Sequence, residues 1–446
     1  MSNHEKNYLL LILAHIGIGI AIYMFPAISK LYGIAMVFGG LYWVLKNRNR
    51  NEEVLFVSAY LVGSEVFLRM TGGNPLYEFT KYGVMGFIVI GMYFSGFSRF
   101  AIPYWIYIAL LVPGVVLSAL VLDYDTDIRK VISFNLSGPL CRGLSALYTY
   151  SRKITLQHFG TILLLIALPT LSCAMYLFLY TPNIRDVITG TGSNFETSGG
   201  FGPNQVSTML GLGMFVFFSR MLLSSPTKFL ALINVLVAVM VGYRGLVTFS
   251  RGGMITGVVM LIILVGITYM RVNSRGKLKM LYLTAILLGG MSLVWAYTSM
   301  ETGGMIEKRY ANQDAMGRVK KSRFTGREEI SKTEFEAFLN NPVFGIGMGK
   351  GMEIREAQTG NIILSHNEIT RLLGEHGSFG VAILLILFST PLFLYLDNKY
   401  HIYLLCCLLF WLLTINHAAM RLGAPAFVYS LSLMKVLPYE RSVRRQ

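Results

Sequence analysis

The chain has 446 residues, 54% of them hydrophobic and 14% charged, against about 25% charged in an ordinary soluble domain. A formal net charge of +16 in a soluble protein would suggest nucleic acid as a partner. Here the apolar residues come in blocks near twenty long, so a polytopic helical membrane protein with basic cytoplasmic loops accounts for both features, membrane lipid replaces nucleic acid as the expected partner, and the short alternating segments of a membrane barrel are absent.

In chain order the apolar blocks fall at 8–28, 33–46, 54–70, 82–97, 102–121, 128–149, 158–180, 204–223, 228–248, 252–271, 279–298, 370–396, 400–417 and 423–437. The expected fold is all-α, one integral membrane domain over 1–446 with 12–14 transmembrane helices, the second, sixth and last blocks being weakest. The first block has no small-residue cleavage site after it and reads as a retained helix. Cys141, Cys173, Cys406 and Cys407 lie in apolar blocks without metal or disulfide spacing and read as packing residues.

The loops Lys46–Arg50, Arg152–Lys153 and Arg271–Lys279 and the tail Arg441–Arg445 are basic, whereas 71–80 and 122–127 are poor in Lys and Arg. The positive-inside rule then puts both termini in the cytoplasm. Two connections fall outside, 181–203 and a long loop over 299–365. Between Lys308 and Arg327, the seven basic residues Lys308, Arg309, Arg318, Lys320, Lys321, Arg323 and Arg327 stand against one acid, Asp314. Loops longer than about sixty residues escape the charge rule, so this cationic patch stays external and is expected to meet an anion, with Lys321 and Arg323 among the substrate contacts.

Two positions in this polar interval repeat one device. Thr325-Gly326-Arg327-Glu328 has capping-box spacing, with Ile330, Phe335, Phe338 and Leu339 as a partial apolar stripe and Pro342 as the stop. Arg327 then sits in a first helical turn, where a cation is unfavourable unless an anion is bound beside it. Ser365-His366-Asn367-Glu368 has the same spacing and leads into the block 370–396. The helix dipole there would keep His366 neutral, as a proton acceptor must be. His158, His401 and His417 have no such setting and read as structural; His376 reads either way.

Phe249-Ser250-Arg251-Gly252-Gly253 joins two apolar blocks with almost no loop, on the same external side, and Arg244, seven residues earlier, is expected on the same helix face. Arginine at membrane depth is expensive and marks function by default. Gly199 to Gln205 ends the other external loop and opens a helix, with Asn204 as a candidate contact. There is no Walker loop, dinucleotide fingerprint or metal-ligand spacing, so no cofactor is expected and energy should come from an activated substrate.

Taken together, Thr248-Phe249-Ser250-Arg251-Gly252-Gly253, Thr325-Gly326-Arg327, Asn341-Pro342-Val343-Phe344-Gly345-Ile346-Gly347, and Ser365-His366-Asn367 followed by Gly377-Ser378-Phe379-Gly380 resemble the O-antigen ligase and polymerase superfamily over residues 200–390. The resemblance implies a GT-C-like glycosyltransferase of the bacterial inner membrane with a periplasmic active site. Such enzymes move a glycan from undecaprenyl diphosphate to an acceptor hydroxyl, without metal and with inversion. It implies Arg251 and Arg327 on the diphosphate and His366 at the acceptor hydroxyl or a phosphate oxygen; Arg244, Asn204 and Asn367 are expected as further substrate contacts. A ligase would use lipid A-core as acceptor, and a polymerase another lipid-linked repeat unit. Gly380 is followed by Val381-Ala382 instead of the Gly-Thr-Arg-like element common in ligases, which leaves that choice open. A transporter or flippase of lipid-linked glycans is the alternative from another class. It would spread its arginines along a cavity through the membrane.

Overall fold

The computed structural model describes residues 3–123, 126–320, 327–361, 363–417 and 420–438; the side chains of His4 and Arg327 are outside that description. The chain forms two compact units, one of residues 1–79, 154–321 and 436–446, the other of 80–153 and 322–435. Both are helical. The only strands among the described residues are two of three residues each, Lys153–Thr155 and Lys435–Leu437.

The first unit contains α1 (Asn3–Met24), α2 (Ala27–Asn47) and α3 (Glu53–Met70); the second begins with α4 (Phe79–Ser95), α5 (Ile102–Val121) and α6 (Ile128–Thr149). The chain then returns to the first unit with α7 (Leu156–Tyr180), α8 (Pro203–Leu223), α9 (Lys228–Leu246), α10 (Arg251–Arg271), α11 (Ser274–Glu301) and the short α12 (Met305–Tyr310). The second unit is completed by α13 (Arg327–Asn340), α14 (Lys350–Thr359), α15 (Glu368–His376), α16 (Ser378–Asp397), α17 (Leu404–Ile415) and α18 (Gly423–Leu431).

Every apolar block of the sequence carries a helix. Nine helices among the described residues are long and apolar enough to cross a membrane, and α4 and α17 are shorter apolar helices. α3 is helical but carries internal charge: Arg69 pairs with Glu65 at 2.9 Å and with Glu78 at 3.3 Å, and nearly all of α3 is buried. The block 370–396 is two helices, not one. Gly377, at φ +58° and ψ −133°, breaks it into α15 and α16, a conformation open to glycine and strained for other residues.

In the first unit α8 is the central helix, with 89% of its apolar stretch buried, and α11 is outermost, with 11%. α8 and α10 approach through glycines. A Cβ on Gly211 would collide with the Gly253 carbonyl, and one on Gly257 would lie 2.5 Å from the Gly211 carbonyl. Small residues allow helices in lipid to pack backbone against backbone. In the second unit Arg142 is fully buried. It donates to the Tyr107 hydroxyl at 2.9 Å and lies over the rings of Tyr107 and Trp411. All four cysteines are buried and unbridged.

Candidate functional site

The first unit gathers cations around the start of α10. α7, α9 and α11 begin under side-chain caps: Thr155, Thr227 and Asn273 accept from the amides of His158, Leu230 and Gly276. α8 and α10 do not. Gly202 and Ser250 occupy their cap positions without a side-chain bond to the helix. Ser250 donates its hydroxyl to Asn204 Oδ1 at 2.8 Å, and its carbonyl accepts from Ser207 at 2.7 Å, which ties the two helix starts together. The turn before α10 is short enough that Phe249 adopts φ +58°. A helix start whose amides lack a cap is a site for an anion.

Three basic residues converge on it. Arg251 Nη1 donates to the Arg309 carbonyl at 3.2 Å. Arg309 Nε returns a bond to the Phe249 carbonyl at 2.8 Å, and its Nη2 reaches Ser193 Oγ at 3.2 Å. Lys320 is close enough to feel both: burial and the like charges of Arg309 and Arg251 hold its ammonium below the usual range. Tyr310 joins them, its phenol pushed up to about 12 by burial against the opposing pull of Arg251 and Arg309. Its ring meets Trp295 edge-on, with centroids 5.0 Å apart. Both rings line an apolar groove between α8, α9, α10 and α11, together with Phe218, Leu246, Met254 and Val258 among others.

Arg244 is placed differently from expectation. It ends α9 while Arg251 begins α10, so the two share no helix face; the four-residue turn 247–250 resets the direction. Arg244 is fully buried, donates to the carbonyls of Thr181 (3.4 Å) and Thr197 (3.3 Å), and lies over the Phe178 ring. It braces the loop 181–198 from inside.

In the second unit α13 is described over Arg327–Asn340, and it ends where Pro342 is expected to stop it. Lys321, Arg323 and the expected cap Thr325 lie outside the described residues. The expected apolar stripe is not the buried face. Phe335 and Leu339 are 45% and 59% exposed and Glu334 is 6% exposed, because Glu334 is anchored inward by Arg355 Nη1 at 3.3 Å and Thr370 Oγ1 at 2.6 Å.

The second capping box is also corrected. Asn367, not Ser365, caps α15, accepting from the Ile369 amide at 2.9 Å. Glu368 does not reach back; it holds Arg371 on two nitrogens, at 3.0 Å and 2.7 Å. A charge-assisted double bond to arginine outcompetes one neutral amide. His366 is half-buried and directly precedes the cap. At the other end of α15 the segment 341–347 supplies the missing donors: Ile346 and Gly347 donate their amides to the carbonyls of Gly374 (2.9 Å) and Glu375 (3.1 Å). Gly345 and Gly347 both have positive φ, which allows the segment to fold over the helix end. His376 is buried against Gly114 and held neutral, lowered to about 3 by burial and by the Arg371 charge, which makes it a packing residue.

Residues 235–385 match the family model described as O-antigen ligase. This region belongs to the O-antigen ligase superfamily. The match runs from α9 into α16 and takes in Arg244, Arg251, Arg309, Arg327 and His366. The match supports a membrane enzyme of the O-antigen ligase and polymerase type, acting in polysaccharide assembly. No curated protein matches the chain. The structure brings Arg251 together with Arg309 and Lys320, and ties its neighbour Ser250 to Asn204. Arg309 and Lys320 lie in the basic patch of the sequence, but nothing in their local pattern separates them from its other members.

Proposed function

We propose that the protein is an O-antigen ligase-like glycosyltransferase of the bacterial inner membrane, moving a glycan from undecaprenyl diphosphate to an acceptor hydroxyl at the periplasmic face, with both termini cytoplasmic. One observation carries this reading. Within one unit, Trp295 and Tyr310 line an apolar groove, and Tyr310 feels the charges of Arg251 and Arg309 beside an uncapped helix start. A ligand with a long hydrocarbon chain and a diphosphate head satisfies both halves. The chain would lie in the groove. The diphosphate would accept from Arg251, Arg309, Lys320 and the first amides of α10.

In the reaction the acceptor oxygen bonds to the anomeric carbon as the bond from that carbon to the diphosphate oxygen breaks, with inversion. The electron pair leaves on the diphosphate, where the cations offset its growing charge. The hydroxyl proton passes to His366. Arg327 and His366 enter this scheme through the motifs that carry them. The same chemistry serves a polymerase, in which the acceptor is a second lipid-linked repeat unit.

The test is transfer from a polyprenyl-diphosphate glycan to acceptor by purified protein in proteoliposomes. Arg251→Gln and Arg309→Gln each remove a charged hydrogen bond worth about 1.5–3 kcal/mol, so each should lower transfer roughly tenfold to a hundredfold. Transfer at the full rate by a correctly inserted Arg251→Gln protein would sink the assignment.

A further inference from the structure

Glu334 is a carboxylate where α13 would be expected to bury an apolar side chain. It is buried while Phe335 and Leu339 face outward, and burying a carboxylate is costly unless it is paired and hydrogen-bonded. Its partners come from two other helices. Arg355 of α14 donates Nη1 at 3.3 Å, and Thr370, in the first turn of α15, donates its hydroxyl at 2.6 Å. Burial pushes the Glu334 carboxyl up, and Thr370, Arg355, Ser365 and Arg371 oppose that. The two backbones meet at the same level: a Cβ on Gly374 would lie 2.8 Å from the Glu334 carbonyl.

The elements that Glu334 joins are those that carry Arg327 and His366. Glu334 stands seven residues after Arg327 on α13, and Thr370 stands four after His366. The backbone on either side of His366 is pinned as well. Arg421 donates to the Ser365 carbonyl at 3.1 Å, Ser365 Oγ accepts from the Asn367 amide at 3.3 Å, and Asn367 caps α15. Further along α15, Arg371 is the hub: it takes Glu368 on Nε and Nη2, and Glu375 on Nη1. This network forms one wall of a narrow cleft that Ser365 and Arg421 also line. A buried ion pair is often no more stable than an apolar replacement, and its best-attested use is to fix register. We propose that Glu334 is a positioning residue, whose bonds to Thr370 and Arg355 fix α13 against the start of α15 and so set the separation of Arg327 from His366. The proposal rests on the glycosyltransferase reading for the roles of Arg327 and His366, and on the Glu334 contacts for the fastening. Misplacing a reacting group by about 1 Å costs on the order of a hundredfold in rate, so a single bond at this joint has a large effect.

Removing Glu334 itself would leave Arg355 buried without its carboxylate, so the test cuts the bond from the other side. Thr370→Val deletes the hydroxyl, keeps the side-chain shape and leaves the pair of Glu334 with Arg355; Thr370→Ser keeps the hydroxyl. Glycan transfer in proteoliposomes is measured for both, for His366→Ala, and for the double variant Thr370→Val, His366→Ala. Thr370→Val should lower kcat roughly tenfold with KM within about twofold of wild type, and Thr370→Ser should retain most of the rate. In the His366→Ala background the valine should cost under about twofold, because the group it misplaces is gone. Full-rate transfer by Thr370→Val overturns the proposal. So do a Thr370→Ser protein as slow as Thr370→Val, a loss confined to KM, and losses that multiply in the double variant. His366→Ala transferring at the full rate would refute the role of His366 in the proposed function, and the proposal falls with it. A slow His366→Ala beside a full-rate Thr370→Val sinks the proposal alone.

Discussion

Arg371 offers the sharpest test of how the second unit is held. Its guanidinium makes three hydrogen bonds to two carboxylates, at 2.7, 2.7 and 3.0 Å, and all three side chains are nearly or fully buried. Arg371→Met removes one cation and leaves two carboxylates behind. Breaking a buried pair from one side costs about 3–5 kcal/mol, because the remaining charge is left desolvated. At about 2–4 °C per kcal/mol for a unit of this size, the melting temperature should fall by roughly 6–20 °C. The triple variant Glu368→Gln, Arg371→Met, Glu375→Gln removes the charges together, and replacing a whole buried ionic group is often close to neutral. It should recover at least half of the loss. The assay is thermal unfolding of purified protein in one detergent, with tryptophan fluorescence as the signal. If Arg371→Met costs under about 1 kcal/mol, or the triple variant is no more stable than the single one, the cluster is not the electrostatic hub described above.

Other consequences can be checked alongside. Burial lifts Glu375 from an ordinary 4.5 to about 7, so the folded state keeps a proton that the unfolded chain releases. Its share of stability should therefore fall as pH rises from about 4.5 to about 7 and stay level above, by something on the order of 3 kcal/mol. Glu375→Gln should flatten that slope in melts taken across the range, and an unchanged slope would discard the assignment. Gly253→Ala drives a methyl into the Ser207 carbonyl group. It should cost about 1–3 kcal/mol by overpacking, and transfer should drop as the α8 and α10 starts separate. Gly377→Ala, at positive φ and with its Cβ 2.7 Å from the Val343 carbonyl, should destabilise by at least 1–3 kcal/mol. Arg244→Leu withdraws two donors from the carbonyls of Thr181 and Thr197. Limited proteolysis should then cut the loop 181–198 several times faster; a cutting rate equal to wild type would refute the bracing role.

What was legible in the sequence follows from the range of each interaction. Hydrophobic length located helices in every block, because membrane helices are set by local composition. The place of Arg251 at the start of α10 was legible too: an arginine at a near-loopless junction between two apolar blocks is itself a signal. Capping spacing was less reliable. Ser365 and Glu368 have the right separation, yet Asn367 caps and Glu368 turns to Arg371, since a nearby guanidinium outbids a backbone amide. The stripe on α13 failed for a related reason. Phe335 and Leu339 lost the inward face to Glu334, whose partners Arg355 and Thr370 come from two later segments. Arg309 is of the same kind. It reaches the start of α10 from 58 residues downstream, through the docking of α12, which no local pattern announces. The cluster on α15 did have a readable trace. Glu368, Arg371 and Glu375 stand at i, i+3 and i+7, so they share one helix face, and Arg371 is within reach of both carboxylates by spacing alone. A charged stripe at the head of an apolar block cannot face lipid. It has to turn toward protein or a polar cavity, and in this fold it forms the wall of the cleft beside His366.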